Sequence, residues 1–354
     1  MKILIIENSF SDLKKSRLNL GDFLSLNGFD VFYACPSPKK LEGYKIFSLP
    51  MQRKSINPLF AINSIFLLRS ILLKNKIDIV LSFRLYPNFL NFFSSFLISN
   101  IRRVGVITGL GLAFTSKNFF FKYFIKAFYR IAVLRLEIIA QNKDDLKELS
   151  IDGKIIQGSG IINPEITPKN SVEDQLNFLF VGRLLKTKGI YEAIKIFNSI
   201  NNNNFNNKSL KIAGDIDISN PDSLTPDELN FLKKNKGVEF LGHVNNIDKE
   251  YYNSNIFLYP SSYREGIPRA IIEALSYGLT IITKDMPGCK ETVRENGFLY
   301  QSFDDIDLIN YLNNINSLSL NNNSKKSIKL FKNRFSSKII FKEFLNFLKK
   351  TRKI

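Results

Sequence analysis

Ile256-Phe-Leu-Tyr-Pro-Ser-Ser-Tyr-Arg-Glu-Gly-Ile-Pro-Arg-Ala-Ile-Ile-Glu273 reads as a buried strand, a short loop and the start of a helix. The run Ile256 to Tyr259 is apolar and β-prone, Ser261-Ser262 takes the chain off it, and Pro268 suits a helix's first turn. Ile267, Ile271 and Leu275 then follow i, i+4, i+8 and face a core, whereas Glu273 points away from that stripe and is free to meet a ligand. Glu265 sits where open α/β sheets bind ligands, in the crevice outside a strand's carboxyl end. The two carboxylates, eight positions apart, read as a ligand clamp.

The same strand-then-helix alternation runs along the whole chain, which predicts parallel α/β architecture. First-half strands are expected at Ile3 to Ile6, Val31 to Ala34, Ile46 to Leu49, Ile79 to Ser82, Val104 to Thr108 and Ile138 to Gln141. A crossover helix is expected over Leu59 to Leu73, and a buried helix in the uncharged stretch Leu85 to Ile101. The pattern restarts with Phe178 to Val181 and continues through Leu210 to Ala213, Val238 to Leu241, Ile256 to Tyr259, Thr280 to Thr283 and Phe298 to Tyr300. The linker Ile161 to Asp174, with Pro164 and Pro168, marks a hinge. Two Rossmann-like domains follow, 1–165 and 166–332, with a cleft between them as the expected site. A basic amphipathic segment, 333–354, offers Phe335, Ile339, Phe341, Phe344 and Phe347 as apolar contacts to either domain.

Composition narrows the chemistry. Two cysteines and a single histidine leave neither a disulfide framework, nor a zinc constellation, nor a Ser-His-Asp set. The work falls to carboxylates, cations and backbone amides. His243 reads as a structural or base-pocket residue, and Cys289 as packing. Met1 to Ile6, followed by Glu7-Asn8, is too short and too soon polar for a signal peptide, so the expected compartment is cytoplasmic. The net charge of +18 points to an acidic partner, and residues 1 to 165 carry 23 Lys+Arg against 12 Asp+Glu. No nucleic-acid-binding signature accompanies this charge. The acid-free run Lys117 to Arg130 interleaves four cations with aromatics. It suits an interfacial helix on anionic lipid, or equally a crossover helix whose aromatics are core.

Further candidates lie after other strands. Gly182-Arg183-Leu-Leu-Lys-Thr-Lys188-Gly189 follows the first strand of the second half, placing Arg183 as a forked and Lys188 as a point contact to a diphosphate. Gly266 and Ile267 would add amides at the opening of the helix behind Glu265, with Arg264 and Arg269 either contributing or balancing local acids. Thr108-Gly109-Leu110-Gly111 forms a glycine-supported loop in the first half.

Val181 to Gly189, the Glu265 to Glu273 spacing, and Pro287-Gly-Cys-Lys-Glu291 with Asn296-Gly297 resemble the retaining glycosyltransferases of family 4. Ser55-Ile-Asn-Pro58, Pro87-Asn88, Thr108 to Gly111 and Tyr263 to Gly266 resemble the bacterial members that add a sugar, often an N-acetylhexosamine, to a polyprenyl-diphosphate-linked acceptor. The resemblance implies a GT-B fold, two facing Rossmann-like domains with the last helix crossing back to the first. It implies that Arg183 and Lys188 bind the donor diphosphate, Glu265 the sugar hydroxyls and Glu273 the ribose. Gly182, Gly266, Ile267 and Arg264 would line the donor site, and Gly109, Gly111 and Asn88 the acceptor side. The implied co-substrate is a nucleotide sugar, UDP-linked, with no cofactor and no metal. Fixed cations and helix amides on the phosphate side would stabilise the charge that develops when a glycosyl-phosphate bond breaks. The implied place of work is the inner face of the plasma membrane. Two departures stand out: Glu7-Asn8-Ser9-Phe10-Ser11 replaces a glycine-rich first loop, and Ser82 to Asn88 lacks a histidine, leaving Arg84 as a substitute polar group. The alternatives are a UDP-sugar epimerase on the same architecture and a non-catalytic sugar-nucleotide-binding scaffold.

Overall fold

The computed structural model describes residues 1–51, 58–96, 98–111, 114, 119–164, 175–218 and 220–350. Its residues fall into two compact units, Met1–Gly160 joined by the chain from Ser337 on, and Ile161–Ser336. The expected divisions were 165/166 and 332/333. Residues 165–174 of the expected hinge lie outside the described residues.

In the first unit, all strands are parallel, in the order β3-β2-β1-β4-β5-β6-β7. They are β1 (Lys2–Ile6), β2 (Asp30–Cys35), β3 (Lys45–Ser48), β4 (Ile79–Phe83), β5 (Arg102–Ile107), β6 (Glu137–Ala140) and β7 (Lys154–Ile155). The last has two residues, too few to leave a sequence pattern. Helices α1 (Phe10–Ser16) and α2 (Leu18–Leu26) follow β1, α3 (Pro58–Lys74) follows β3 and α4 (Leu85–Ser94) follows β4. Next come α5 (Phe119–Ala132) and α6 (Lys143–Leu149).

Period-2 alternation sorts the strand side chains. Ile3, Ile5, Ile79, Leu81 and Ile139 share one core, while Leu4, Ile6, Val80, Ile138 and Ala140 turn to the other face, which α3, α4 and α5 cover. The expected helix from Leu85 stops at Ser94, well before Ile101. There Ser94 Oγ donates to the Leu90 carbonyl at 2.7 Å, Ser95 Oγ donates to that of Asn91, and Arg103 takes the Ser95 and Ile98 carbonyls at 2.6 Å each. Arg103 thereby satisfies the Ser95 and Ile98 carbonyls, which further helix would have used.

The second unit's order is β10-β9-β8-β11-β12-β13, again parallel. Its strands are β8 (Gln175–Val181), β9 (Asn207–Ala213), β10 (Val238–Gly242), β11 (Ile256–Tyr259), β12 (Thr280–Lys284) and β13 (Gly297–Tyr300). The helices are α7 (Ile190–Ser199), α8 (Pro226–Leu232), α9 (Asp248–Tyr252), α10 (Arg269–Ser276), α11 (Ile306–Asn314) and α12 (Ser317–Leu330). In both units strand order reverses after the third strand, so β1/β4 and β8/β11 each open a crevice at their carboxyl ends.

The chain leaves α12 through a π-helical turn, Phe331–Phe335, and an extended residue at Ser336. It then forms α13 (Ser337–Lys349), which belongs to the first unit. Phe335 is buried in the second unit's core, apart from the helix it was expected to share. The break at Ser336 resets the helical phase, so Ile340, Phe341, Phe344, Leu345 and Leu348 are buried, while Ile339 and Phe347 are half-buried.

Candidate active site

The β8/β11 crevice is assembled by close backbone approaches that need glycine. A Cβ on Gly189, at φ +84°, would stand 2.2 Å from the Pro260 carbonyl oxygen, which presses the loop after β8 onto the loop after β11. A Cβ on Gly288, at φ +85°, would stand 1.7 Å from the Gly266 carbonyl oxygen, which brings in the loop after β12. Only a residue without a side chain fits either place. The amides of Ser262 and Tyr263 donate to the Thr187 carbonyl at 2.9 and 3.1 Å, completing the junction.

Within it, Lys188 and Glu265 meet. Lys188 Nζ donates to Glu265 Oε1 at 2.5 Å and to the Tyr259 hydroxyl at 2.6 Å, and that hydroxyl donates to Glu265 Oε1 at 2.7 Å. Lys188 is buried and Glu265 half-buried. The ammonium also lies 5.2 Å from the ring centres of both Tyr259 and Tyr263. Burial first, then the Glu265 charge, raises the Tyr259 phenol well above its ordinary range, so it is a donor at neutral pH. Two of the three ammonium hydrogens are engaged, which leaves one for a phosphate oxygen.

Arg183, half-exposed after β8, reaches Asp217 Oδ2 through Nη1 at 2.8 Å and keeps further guanidinium donors. Gly182 donates its amide to the Ala213 carbonyl at 2.9 Å, and a Cβ on Gly214 would fall 1.8 Å from the Gly182 carbonyl oxygen. Its part is therefore to continue the sheet geometry, with no amide left for a ligand.

Glu273 is not free. Its Oε1 accepts from Arg269 Nε at 2.8 Å, four residues earlier on α10, and its Oε2 accepts from the Tyr251 hydroxyl at 3.1 Å. Arg269 thus balances a local acid. Ile267, Ile271 and Leu275 are buried as their spacing requires. Helix α10 starts later than expected: Pro268 is its N-cap in extended geometry (ψ 120°), so Gly266 and Ile267 precede the helix. Arg264 lies half-buried in the same turn. Cys289 is fully buried, and burial followed by the Glu265 charge pushes its thiol up to about 12, which suits packing and excludes a ready nucleophile. His243 is exposed in the loop after β10.

In the first unit, Gly109 and Gly111 take φ +111° and +61°, as a glycine-dependent turn requires. Residues 112–113 and 115–118 beyond it, and 55–57 of the Ser55 to Pro58 motif, lie outside the described residues. Asn88 is no loop residue. It is fully buried on α4, where it accepts from Ser82 Oγ at 2.8 Å and donates to the Tyr129 hydroxyl at 3.0 Å, so it braces the core. At the β1/β4 crevice the fully buried Glu7 pairs with Arg17 at 2.9 Å and Arg84 at 3.2 Å. Arg84 also reaches Asp12 at 3.2 Å and holds a left-handed backbone, φ +78°.

Charge and carboxylate at the switch point of a doubly wound sheet fit a bound nucleotide diphosphate. Residues 163–333 match the family of glycosyl transferases group 1. The match falls on the second unit. Across the chain, the capsular polysaccharide biosynthesis glycosyltransferase CapM of Staphylococcus aureus is 29% identical over 355 residues, covering 91% of this chain and 90% of CapM. The N,N'-diacetylbacillosaminyl-diphospho-undecaprenol alpha-1,3-N-acetylgalactosaminyltransferase of Campylobacter jejuni is 24% identical, covering 83% of each. Among solved structures, the Anabaena protein HepE in complex with UDP-glucose superposes with a TM-score of 0.73 at 16% identity, over 98% of this chain and 99% of that one. The two units are the two Rossmann-like domains of a GT-B fold.

Tyr259, Tyr251, Asp217, Gly214 and Gly288 were missed as site residues in the sequence. Tyr259 left one trace, a hydroxyl at the last position of an otherwise apolar strand. The others depend on which loops meet.

Proposed function

We propose that this protein is a retaining, family 4 type glycosyltransferase that moves a sugar from a UDP-linked donor to a lipid-linked or other cell-envelope saccharide acceptor. The observation that carries this reading is the Lys188–Tyr259–Glu265 cluster at the β8/β11 switch point, in the group 1 domain. Lys188 has a hydrogen left for a donor phosphate, and Arg183 keeps guanidinium donors beyond the one that Asp217 takes. Glu265, oriented by Lys188 and Tyr259, would accept from a sugar hydroxyl. As the glycosyl-phosphate bond breaks, negative charge grows on the departing diphosphate, and these two cations are the residues that would stabilise it.

The acceptor class follows the relatives, one a glycosyltransferase of capsular polysaccharide biosynthesis and the other a transferase acting on a diphospho-undecaprenol-linked sugar. The UDP preference follows the ligand of HepE. Among the described residues no helix is long and apolar enough to cross a membrane, so contact with a lipid-linked acceptor would be peripheral.

The test is a screen of UDP-, GDP- and ADP-sugars for hydrolysis and thermal stabilisation, repeated with Arg183→Ala and Glu265→Ala. Each variant should lose transfer by about 10²-fold or more with the fold intact. Wild-type turnover in both would sink the reading, and conversion of the donor alone into an isomeric sugar nucleotide, with slow hydrolysis subtracted, would favour the epimerase instead.

A further inference from the structure

Residues 214–232 hold five acids, Asp215, Asp217, Asp222, Asp227 and Glu228, and no Lys or Arg, in a chain whose net charge is +18. The stretch leaves β9 and lies along the cationic loop after β8. The Leu184 amide donates to the Asp215 carbonyl at 3.0 Å, that of Lys186 to the Asp222 carbonyl at 2.8 Å, and that of Leu224 to the Leu184 carbonyl at 2.9 Å. Thr187 gives its amide, at 3.1 Å, and its hydroxyl to Asp222 Oδ2. Each cation of the loop then has a carboxylate of its own. Lys188 has Glu265 at 2.5 Å, Lys186 has Glu228 at 2.7 Å and Arg183 has Asp217 at 2.8 Å.

The three pairs are not equivalent. Lys188–Glu265 is mostly buried and shared with Tyr259, and Glu228 also caps α8. Arg183 and Asp217 meet at 51% and 26% side-chain exposure. The backbone of Asp217 is fixed all the same: its amide donates to Ser223 Oγ at 2.9 Å, and its carbonyl accepts from the Asn220 amide at 2.7 Å. A carboxylate and a phosphate are both oxyanions that take the same guanidinium donors. An ion pair this exposed is weak, so a diphosphate can displace it. The displaced carboxylate stays close, repels the bound anion and takes the guanidinium back when the anion leaves.

We propose that Asp217 is an internal counter-ion that competes with the diphosphate for Arg183 and so limits how tightly the donor site holds its nucleotide product. The inference rests on the reading of Arg183 as a diphosphate ligand. Its effect is greatest on the product, because a freed diphosphate carries more negative charge than one linked to a sugar.

UDP, GDP and ADP are titrated calorimetrically into the full chain at low salt, and inhibition of donor hydrolysis by the preferred diphosphate is measured beside it. Asp217→Asn keeps an oxygen for Arg183 and removes the charge; Asp217→Ala removes both. Asp227→Asn removes the same charge from an exposed position on α8 that Arg183 does not contact. Both Asp217 variants should bind the preferred diphosphate about three- to tenfold tighter than the wild type and be inhibited by correspondingly less of it. The gain should shrink as salt is raised, and Asp227→Asn should bind as the wild type does. Weaker binding by Asp217→Ala would make this carboxylate a prop for Arg183 and overturns the proposal. Unchanged affinity in both Asp217 variants overturns it too, as does equal tightening by Asp227→Asn, which would be a general effect of charge. A wild type that binds none of the three diphosphates removes the donor-site reading and this inference with it. A wild type that binds and transfers, beside an Asp217→Asn that binds no tighter, removes the role of Asp217 alone.

Discussion

Tyr259 is the residue on which the site's polar geometry turns. Its ring is held by stacking on Phe180 and Phe257, each 5.7 Å between centres, so the hydroxyl has a fixed place between Lys188 and Glu265. Tyr259→Phe keeps the stack and removes one acceptor from a buried ammonium and one donor from a carboxylate. The expected loss is roughly 1–3 kcal/mol, together with a fall in turnover, because Glu265 loses a group that orients it. Urea unfolding and donor hydrolysis on one preparation check both, and an unchanged midpoint would count against the cluster. Residue types and spacing in the sequence pick out Arg183, Lys188 and Glu265. Their partners were not legible. Asp217 lies 34 residues from Arg183 and Tyr251 lies 22 from Glu273, and only the folded chain pairs them.

Elements were legible where pattern is repetitive and opaque where side chains end them. Every strand of four or more residues leaves an apolar run, and the period-2 sorting of Ile3 and Ile5 against Leu4 and Ile6 follows from that run alone. Ends are set by caps that propensity does not reveal. Arg102 on β5 donates to the Phe347, Leu348 and Lys350 carbonyls at 3.0, 2.7 and 3.0 Å, closing α13, and pairs with Glu137 at 2.8 Å. Arg102→Ala should lower stability by about 2–4 kcal/mol, since it uncovers three carbonyls and a mostly buried carboxylate. Arg102→Lys should recover only part, because a point charge lacks the fork; equal melting temperatures for lysine and arginine would refute the cap.

A second cap ties α8 to the site loop. Thr225 and Glu228 form a capping box, and Glu228 accepts from Lys186 at 2.7 Å in the loop after β8. The Lys186 bond first, then the Thr225 amide, lowers the Glu228 carboxyl from 4.5 to about 2. A depressed carboxyl stabilises the fold above its unfolded value and loses that contribution as pH falls toward the folded one. Melting temperatures of the wild type and Glu228→Gln should therefore differ at about pH 5 and converge near about pH 2. A gap that persists at the acid end would mean that charge is not its cause.

At the scale of the molecule, the two units keep separate cores although the chain passes between them twice. Phe331 and Phe335 close the second core, and two residues further on α13 enters the first, where Phe344 lies near Phe83 at 6.1 Å between ring centres. Two Rossmann-like halves were readable because each repeats the same alternation. The return of the last helix to the first unit was implied by the family resemblance, but its place, Ser336 and not 332/333, was not legible, since one extended residue between two helical stretches breaks no pattern. Separate cores carry a consequence for energetics. Phe344→Ala should cost about 3–5 kcal/mol by leaving a cavity on the β1/β4/β5 face of the first unit. The Lys188–Tyr259–Glu265 cluster is built wholly within the second unit, so the UDP affinity proposed for it should be unchanged. Amide hydrogen exchange followed by mass spectrometry reads both at once: faster exchange in Lys2–Ile6, Ile79–Phe83 and Arg102–Ile107, with Gln175–Val181 and Ile256–Tyr259 as slow as in the wild type. Equal acceleration in both sets of strands would mean that the units unfold as one, and the donor site could then be disabled from a residue that never approaches it.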